Sequence, residues 1–268
     1  GCGTSDMKSG VAVMLHVAAT LVDPAYDLTL VLYDHEEVAS ELNGLGRIAR
    51  THRSLLSADA AIVLEPTAGQ IEAGCQGVLR VRVRITGFRA HAARNWLGTN
   101  AIHAAAPVLT RLAQYEARSV TIDGCTYREG LSAVGIAGGV ASNVIPDRCD
   151  VEISFRYAPD RGRAQALEHV RALFAEYEVA VLDEAPAALP GLDSELLQRF
   201  VTSVDAPVVA KFGWTDVARF AELGVPALNY GPGDPSMAHQ RAECVDVHAI
   251  RQATARLRRF LENPTSAE

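Results

Sequence analysis

Two hydrophobic regimes divide this chain. In the first, short continuous apolar runs alternate with helical stripes, up to about residue 78 and again from about residue 187. The runs Leu28-Thr29-Leu30-Val31-Leu32 and Ala60-Ala61-Ile62-Val63-Leu64 have the length and composition of buried strands. Val11, Met14, Leu15, Ala18 and Leu21 keep helical spacing, and a second helix is expected from Leu45 to His52. Helix alternating with parallel-type strand makes an α/β layer. From about Gly77 the regime changes. Leu79 to Ile85 alternates strictly, apolar against Arg80, Arg82 and Arg84, as a strand does when one face is solvated. A helix over about 100–115, strands at 131–137 and 150–157, a helix over 163–177 and a strand at 178–182 complete a β-α-β-β-α-β order. The Ala- and Pro-rich stretch 184–191 reads as a return linker. Helices at 192–203, 215–223 and 247–261, with strands at 207–210 and 225–230, then resume the first layer. The expected fold class is α/β: a mostly parallel sheet with flanking helices over 1–78 and 187–268, interrupted by a ferredoxin-like α+β insert over 79–186.

Composition narrows the partners. The chain has 268 residues, 49% apolar and 21% charged, with net charge -7 and a pI of about 5.6. That balance argues against nucleic acid and anionic membrane surfaces. No apolar run approaches the roughly 20 residues that span a bilayer. The five cysteines, Cys2, Cys75, Cys125, Cys149 and Cys244, form no CxxC pair. They read as reduced thiols, and with no signal peptide visible the expected location is cytoplasmic.

The candidate chemistry lies where strands end. Glu36 and Glu37 follow the first apolar run, and Glu65 follows the second. Asp6 lies in a glycine-rich turn, where a helix N-cap would sit, and His239 follows the loop Gly231-Pro232-Gly233-Asp234. In open α/β sheets the carboxyl ends of strands face the ligand. Four carboxylates gathered without a cation would repel and raise one another's pKa. A divalent metal removes that cost. Carboxylate oxygen with imidazole nitrogen suits zinc, with cobalt or manganese possible by geometry. Such a site needs a bridging carboxylate, terminal ligands and one unligated carboxylate to take a proton from water. Taken singly, each signal has a plainer reading: a solvated Glu-Glu loop, a helix cap at Asp6, a loop histidine at 239.

Taken together, the motifs carry a resemblance. Gly3-Thr4-Ser5-Asp6-Met7-Lys8-Ser9-Gly10 resembles the G-x-x-D-x-K-x-G motif of the dinuclear zinc amidohydrolases of the peptidase M20 family. Glu36-Glu37, Leu64-Glu65-Pro66, Gly87 through His91, Asn143-Val144-Ile145-Pro146-Asp147 and Ala238-His239 follow in that family's order. The likeness spans the whole chain. It implies a zinc-exopeptidase-like catalytic domain with an inserted lid and dimerisation domain. Gly213 to Phe220 and Asn229 to Pro235 bring it nearest to the family's actinobacterial-type desuccinylases. Hydrolysis of the amide of N-succinyl-LL-2,6-diaminopimelate, in the pathway to lysine and diaminopimelate, is therefore expected. Acetylornithine deacetylase or carboxypeptidase-like chemistry is the alternative.

The resemblance also implies roles. Asp6 bridges two zinc ions per subunit, for which cobalt can substitute. Glu37 and His239 complete one metal and Glu65 binds the other. Glu36 is the general base, and His91 stabilises the oxyanion, reaching a neighbouring subunit's site. Asn143 and Arg156 hold carboxylates of a small anionic, amino-acid-derived substrate, while Thr215, Gly231 and Gly233 line the pocket. Arginine suits such a substrate because its fork matches a carboxylate. Arg156 can equally be a solvated strand residue. A homodimer through the lid domain is expected. One departure stands out. The family's remaining ligand is a His in an H-x-D motif upstream of the bridging aspartate, and none precedes Asp6 here. The expectation is that an N-terminal segment bearing it is absent, or that the protein is naturally short. In these 268 residues at most one metal site would then be well formed, and activity would be impaired, leaving a metal-poor binding relative as the non-enzymatic reading.

Overall fold

The computed structural model describes residues 1–38 and 40–262. The chain divides into two compact units, one of residues 1–75, 121–126 and 188–268, the other of residues 76–120 and 127–187.

The first unit begins with α1 (Ser9–Thr20), α2 (Gly44–Thr51), β1 (Ala61–Val63) and β2 (Ile71–Ala73). The next stretch of chain forms β3 (Gly77–Thr86), β4 (Ala90–His91), α3 (Ala106–Ala113), β5 (Ser119–Ile122), β6 (Cys125–Arg128), β7 (Gly130–Gly138), β8 (Val144–Ile145), β9 (Arg148–Tyr157), α4 (Arg163–Leu173) and β10 (Glu178–Ala185). It returns as α5 (Glu195–Val204), β11 (Val208–Ala210), α6 (Val217–Glu222), β12 (Ala227–Asn229) and α7 (Val247–Glu262).

The sheet of the first unit has the order β1-β12-β2-β11. β1 pairs parallel with β12 and β11 parallel with β2, while β12 and β2 run antiparallel. Leu45, Val63, Val217, Ala218 and Ala227 form a core on this sheet. α7 packs by Leu257, Phe260 and Leu261, and Phe260 stacks on Tyr26 at 5.0 Å.

The second unit has the sheet order β10-β3-β9-β7, the arrangement of a ferredoxin-like fold. β3 runs antiparallel to β9 over ten residue pairs, Gly77↔Tyr157 to Thr86↔Arg148. Its alternation resolves as expected. Leu79, Val81, Val83 and Ile85 are buried with Val151, Ile153 and Phe155, and the arginines occupy the other face. The hairpin β5–β6 is an addition that the hydrophobic pattern did not indicate. Its turn, Asp123-Gly124, has φ of 47° and 79°, the left-handed pair that closes a two-residue hairpin.

Two expectations fail locally. Residues 28–32 form no strand, and Leu28, Leu30 and Leu32 are 41%, 40% and 59% exposed. The segment is apolar enough for a strand, but none of the described ladders includes it. Only Val31 and Tyr33, the alternate positions, pack on the core. Asp6 is not a helix cap. α1 starts at Ser9 after Lys8, and Asp6 has extended backbone with φ of -117°. Its carboxylate is thereby released for another task. The helices expected over 100–115 and 163–177 are shorter, beginning at Ala106 and ending at Leu173 respectively.

Candidate metal centre

Three loops and a strand end build one cleft in the first unit. The turn before α1 supplies Asp6, and the segment after Tyr33 supplies Glu36 and Glu37. Glu65 lies two residues past β1, and His239 lies on the loop between β12 and α7. Lys211, just past β11, and Trp214-Thr215 form the opposite wall. The cavity measures about 290 Å³, at the small end of the ~300–1,000 Å³ usual for small-molecule sites.

Glycine makes the convergence possible. A Cβ on Gly231 would lie 2.3 Å from the Glu65 carbonyl oxygen, and one on Gly233 would lie 2.3 Å from that of Ser5. Only a residue without a side chain lets the 231–233 loop pass this close to both ligand-bearing segments. These glycines lie against the segments that carry Glu65 and Asp6. Their backbone joins the network: Gly231 N–H donates to Thr67 Oγ1 at 3.0 Å and Ala68 N–H to the Gly233 carbonyl at 2.7 Å.

At the mouth, His239 Nε2 is 3.5 Å from Asp6 Oδ2 and 3.6 Å from Glu37 Oε1. One donor atom from each of Asp6, Glu37 and His239 falls within 4.8 Å of the others. His239 is held with φ of 61°, a conformation costing a non-glycine residue about 1–3 kcal/mol and concentrated at functional sites. The electrostatics of protein groups alone leave the cleft short of positive charge. Burial, then the charges of Glu65 and Asp216, pushes Glu36 up to about 8. Burial and Asp6 push Glu65 up to about 7, against a lowering pull from Lys211. Burial, then Asp6, also raises Glu37. Lys211 is engaged with Glu72 at 2.6 Å, so it does not neutralise the group. Two carboxylates and an imidazole converging within ligand range, with two further carboxylates crowded beside them, fit a divalent cation.

Asp216 anchors the loop behind Glu36. It is fully buried, accepts from Asn43 Nδ2 at 3.1 Å and pairs with Arg219 at 2.9 Å. Burial and then Asp216 push the Tyr33 hydroxyl far above its ordinary pKa, so it stays protonated and can donate to that carboxylate. Arg219 also donates to the Ser40 carbonyl at 3.0 Å and lies 5.3 Å over the Trp214 ring. Both ends of the 33–43 segment are thus tied to one buried acid.

The chain's matches with known proteins give the family. The model of peptidase family M20/M25/M40 matches residues 1–263. The chain belongs to the peptidase M20 family. A Mycobacterium tuberculosis relative named "Putative succinyl-diaminopimelate desuccinylase DapE" is 60% identical over 263 residues, 97% of this chain and 74% of that protein. A Corynebacterium glutamicum relative named "Succinyl-diaminopimelate desuccinylase" is 50% identical over 270 residues, 97% of this chain and 73% of that one. A tripeptidase structure from Staphylococcus aureus shares the fold at TM-score 0.76 and 18% identity, over 96% of this chain and 70% of its own. M20 membership, with the donor set in the cleft, carries divalent-metal chemistry. Among the described residues no helix is long and apolar enough to cross a membrane.

The expected site residues divide between the units. Asp6, Glu36, Glu37, Glu65, Thr215 and His239 line the cleft together. His91, Asn143 and Arg156 belong to the second unit. There His91 pairs with Val144 across β4–β8, and the Asn143 carbonyl accepts from Ala92 N–H at 2.8 Å. Arg156 is exposed on β9. Sequence reasoning missed Lys211 and the buried Asp216. Lys211 was within reach of the rule that found Glu65, because it too follows a strand.

Proposed function

We propose that this M20 enzyme hydrolyses the amide of N-succinyl-LL-2,6-diaminopimelate to succinate and LL-2,6-diaminopimelate. The observation carrying this reading is the converging donor group Asp6–Glu37–His239 beside Glu36, in a chain 60% identical to a relative named for that reaction. Zinc is the proposed metal, with cobalt able to replace it, because hard carboxylate oxygens and one imidazole suit both. Asp6, Glu37 and His239 would hold one ion, and Asp6 and Glu65 would supply two of the ligands of a second. A divalent cation there supplies Lewis-acid polarisation of the amide carbonyl and acidifies water.

The remaining steps fall to the chain's own groups. Glu36 takes the proton from the attacking water as the new C–O bond forms. It returns that proton to the amide nitrogen as the C–N bond breaks, releasing the amine. Glu36 lines the cleft beside Glu37 and outside the converging donor group of Asp6, Glu37 and His239, which leaves its carboxylate available to carry that proton. His91 is proposed to donate to the developing oxyanion from a partner subunit. Its Nδ1 accepts Ala93 N–H at 3.0 Å, which puts the neutral ring's proton on Nε2, the donor such a role needs. Asn143, Arg156 and Thr215 are proposed to orient the substrate's carboxylates, with a homodimer formed through the second unit and a cytoplasmic location. Among the described residues the buried Thr215 hydroxyl has no hydrogen-bond partner, which suits a group kept for a ligand.

The test is turnover of N-succinyl-LL-2,6-diaminopimelate against N-acetylornithine with zinc present. A higher kcat/KM on the succinyl compound is expected. Preference for the acetyl compound would overturn the substrate assignment and leave the metal chemistry standing.

A further inference from the structure

The Asp6 and His239 side chains meet at 3.5 Å, yet neither stands on a regular helix or strand. Asp6 belongs to the turn before α1, and His239 to the loop between β12 and α7. One side chain joins the two. Glu243 is 3% exposed, and its carboxylate accepts three backbone N–H groups from the turn. Gly3 donates to Oε2 at 2.8 Å, and Ser5 and Asp6 donate to Oε1 at 2.8 and 3.0 Å. A second tie lies at the other end of the loop, where Ser5 Oγ donates to the Asp234 carbonyl at 2.8 Å. His239 falls between these anchors in its left-handed conformation.

Bonds from N–H to a carboxylate are roughly twice as strong as neutral ones. Removing the carboxylate would leave the three N–H groups of the turn without their acceptor. Turn and loop are therefore locked through Glu243, and the lock bears directly on the Asp6 backbone. Glu243 contributes no atom to the group of converging donors, which consists of Asp6, Glu37 and His239. Its effect must run through them.

We propose that Glu243 is a positioning residue. By clamping the 3–6 turn to the 234–243 loop, it fixes the separation of Asp6 and His239 and so sets the affinity of the metal centre. This rests on reading Asp6, Glu37 and His239 as ligands. Partners that orient ligands typically contribute about 10–100-fold in metal affinity.

The experiment compares the full chain with Glu243→Ala, Glu243→Gln and Ser5→Ala. Each is titrated with zinc against a competing chelator, its metal-depleted melting temperature is recorded, and turnover is measured at saturating zinc. Glu243→Ala should bind zinc about 10–100-fold more weakly, with kcat at saturating zinc within about threefold of the parent and KM unchanged. Glu243→Gln keeps one acceptor oxygen and should lose less, and Ser5→Ala least. If Glu243→Ala does not fold, the Gln variant decides. A lower melting temperature with unchanged zinc affinity would mark Glu243 as ordinary scaffold and overturn the proposal. Failure of the parent chain itself to bind zinc would overturn the metal reading, and this proposal with it.

Discussion

The acidic cleft of the first unit and the arginine-bearing sheet face of the second use the same chemical groups to opposite ends. On the sheet face Asp150, Glu152 and Glu178 each meet a cation. Asp150 lies 3.2 Å from Arg84 and is bracketed by Arg148 and Arg82. Glu152 faces Arg80 at 3.6 Å and Glu178 faces Arg84 at 3.1 Å. The Arg148 guanidinium holds the Asp150 carboxyl below its ordinary pKa. In the cleft the shifts run upward, to about 8 at Glu36 and about 7 at Glu65. Cross-strand pairing of opposite charges is how a sheet stabilises itself. Crowded like charges destabilise the metal-free fold, and they persist where a ligand compensates for them. Asp150, met by arginines, is held down, whereas Glu36, Glu37 and Glu65, crowded by other acids, are pushed up.

That contrast can be broken in four places. Glu36→Gln should cut turnover by about 10²–10⁴-fold, the usual contribution of a general base, while zinc content stays at the parent level. Loss of zinc together with turnover would make Glu36 a ligand instead. Asp216→Ala leaves Arg219 buried without its partner and should cost about 3–5 kcal/mol in urea unfolding. A cost under about 1 kcal/mol would mean that the 33–43 segment is held without Asp216. Chelation of the bound metal should lower the melting temperature, since binding to the folded state alone stabilises by about 2.7 kcal/mol at a hundredfold excess over Kd. An unchanged melt would show that the cleft acids need no cation. Arg80→Ala should change stability by only about 0–1 kcal/mol and leave turnover intact, as the pair is 45% and 40% exposed.

Much of this was legible in the chain because strand ends announce themselves. Glu65 follows a strand that exists, and the alternation of Leu79 to Ile85 fixed both faces of β3. Glu36 and Glu37 were found for a reason that did not hold. They follow an apolar run that is not a strand, and they reach the cleft because Tyr33 and Asn43 converge on Asp216. Asp216 and Glu243 escaped for a common reason. A buried acid's partners are distant in sequence, with Asn43 and Asp216 173 positions apart and Asp6 and Glu243 237 apart, so no local pattern registers them. The hairpin at 119–128 was missed although Asp123-Gly124 carried the turn signal, because its short strands flank a turn outside the main alternation.

The most direct test of the central claim is a zinc titration of the metal-depleted chain beside His239→Ala. Saturable binding by the parent chain, weakened at least about tenfold by losing the imidazole, is the predicted result. Equal affinity in the two proteins, or no saturable binding in either, would contradict it.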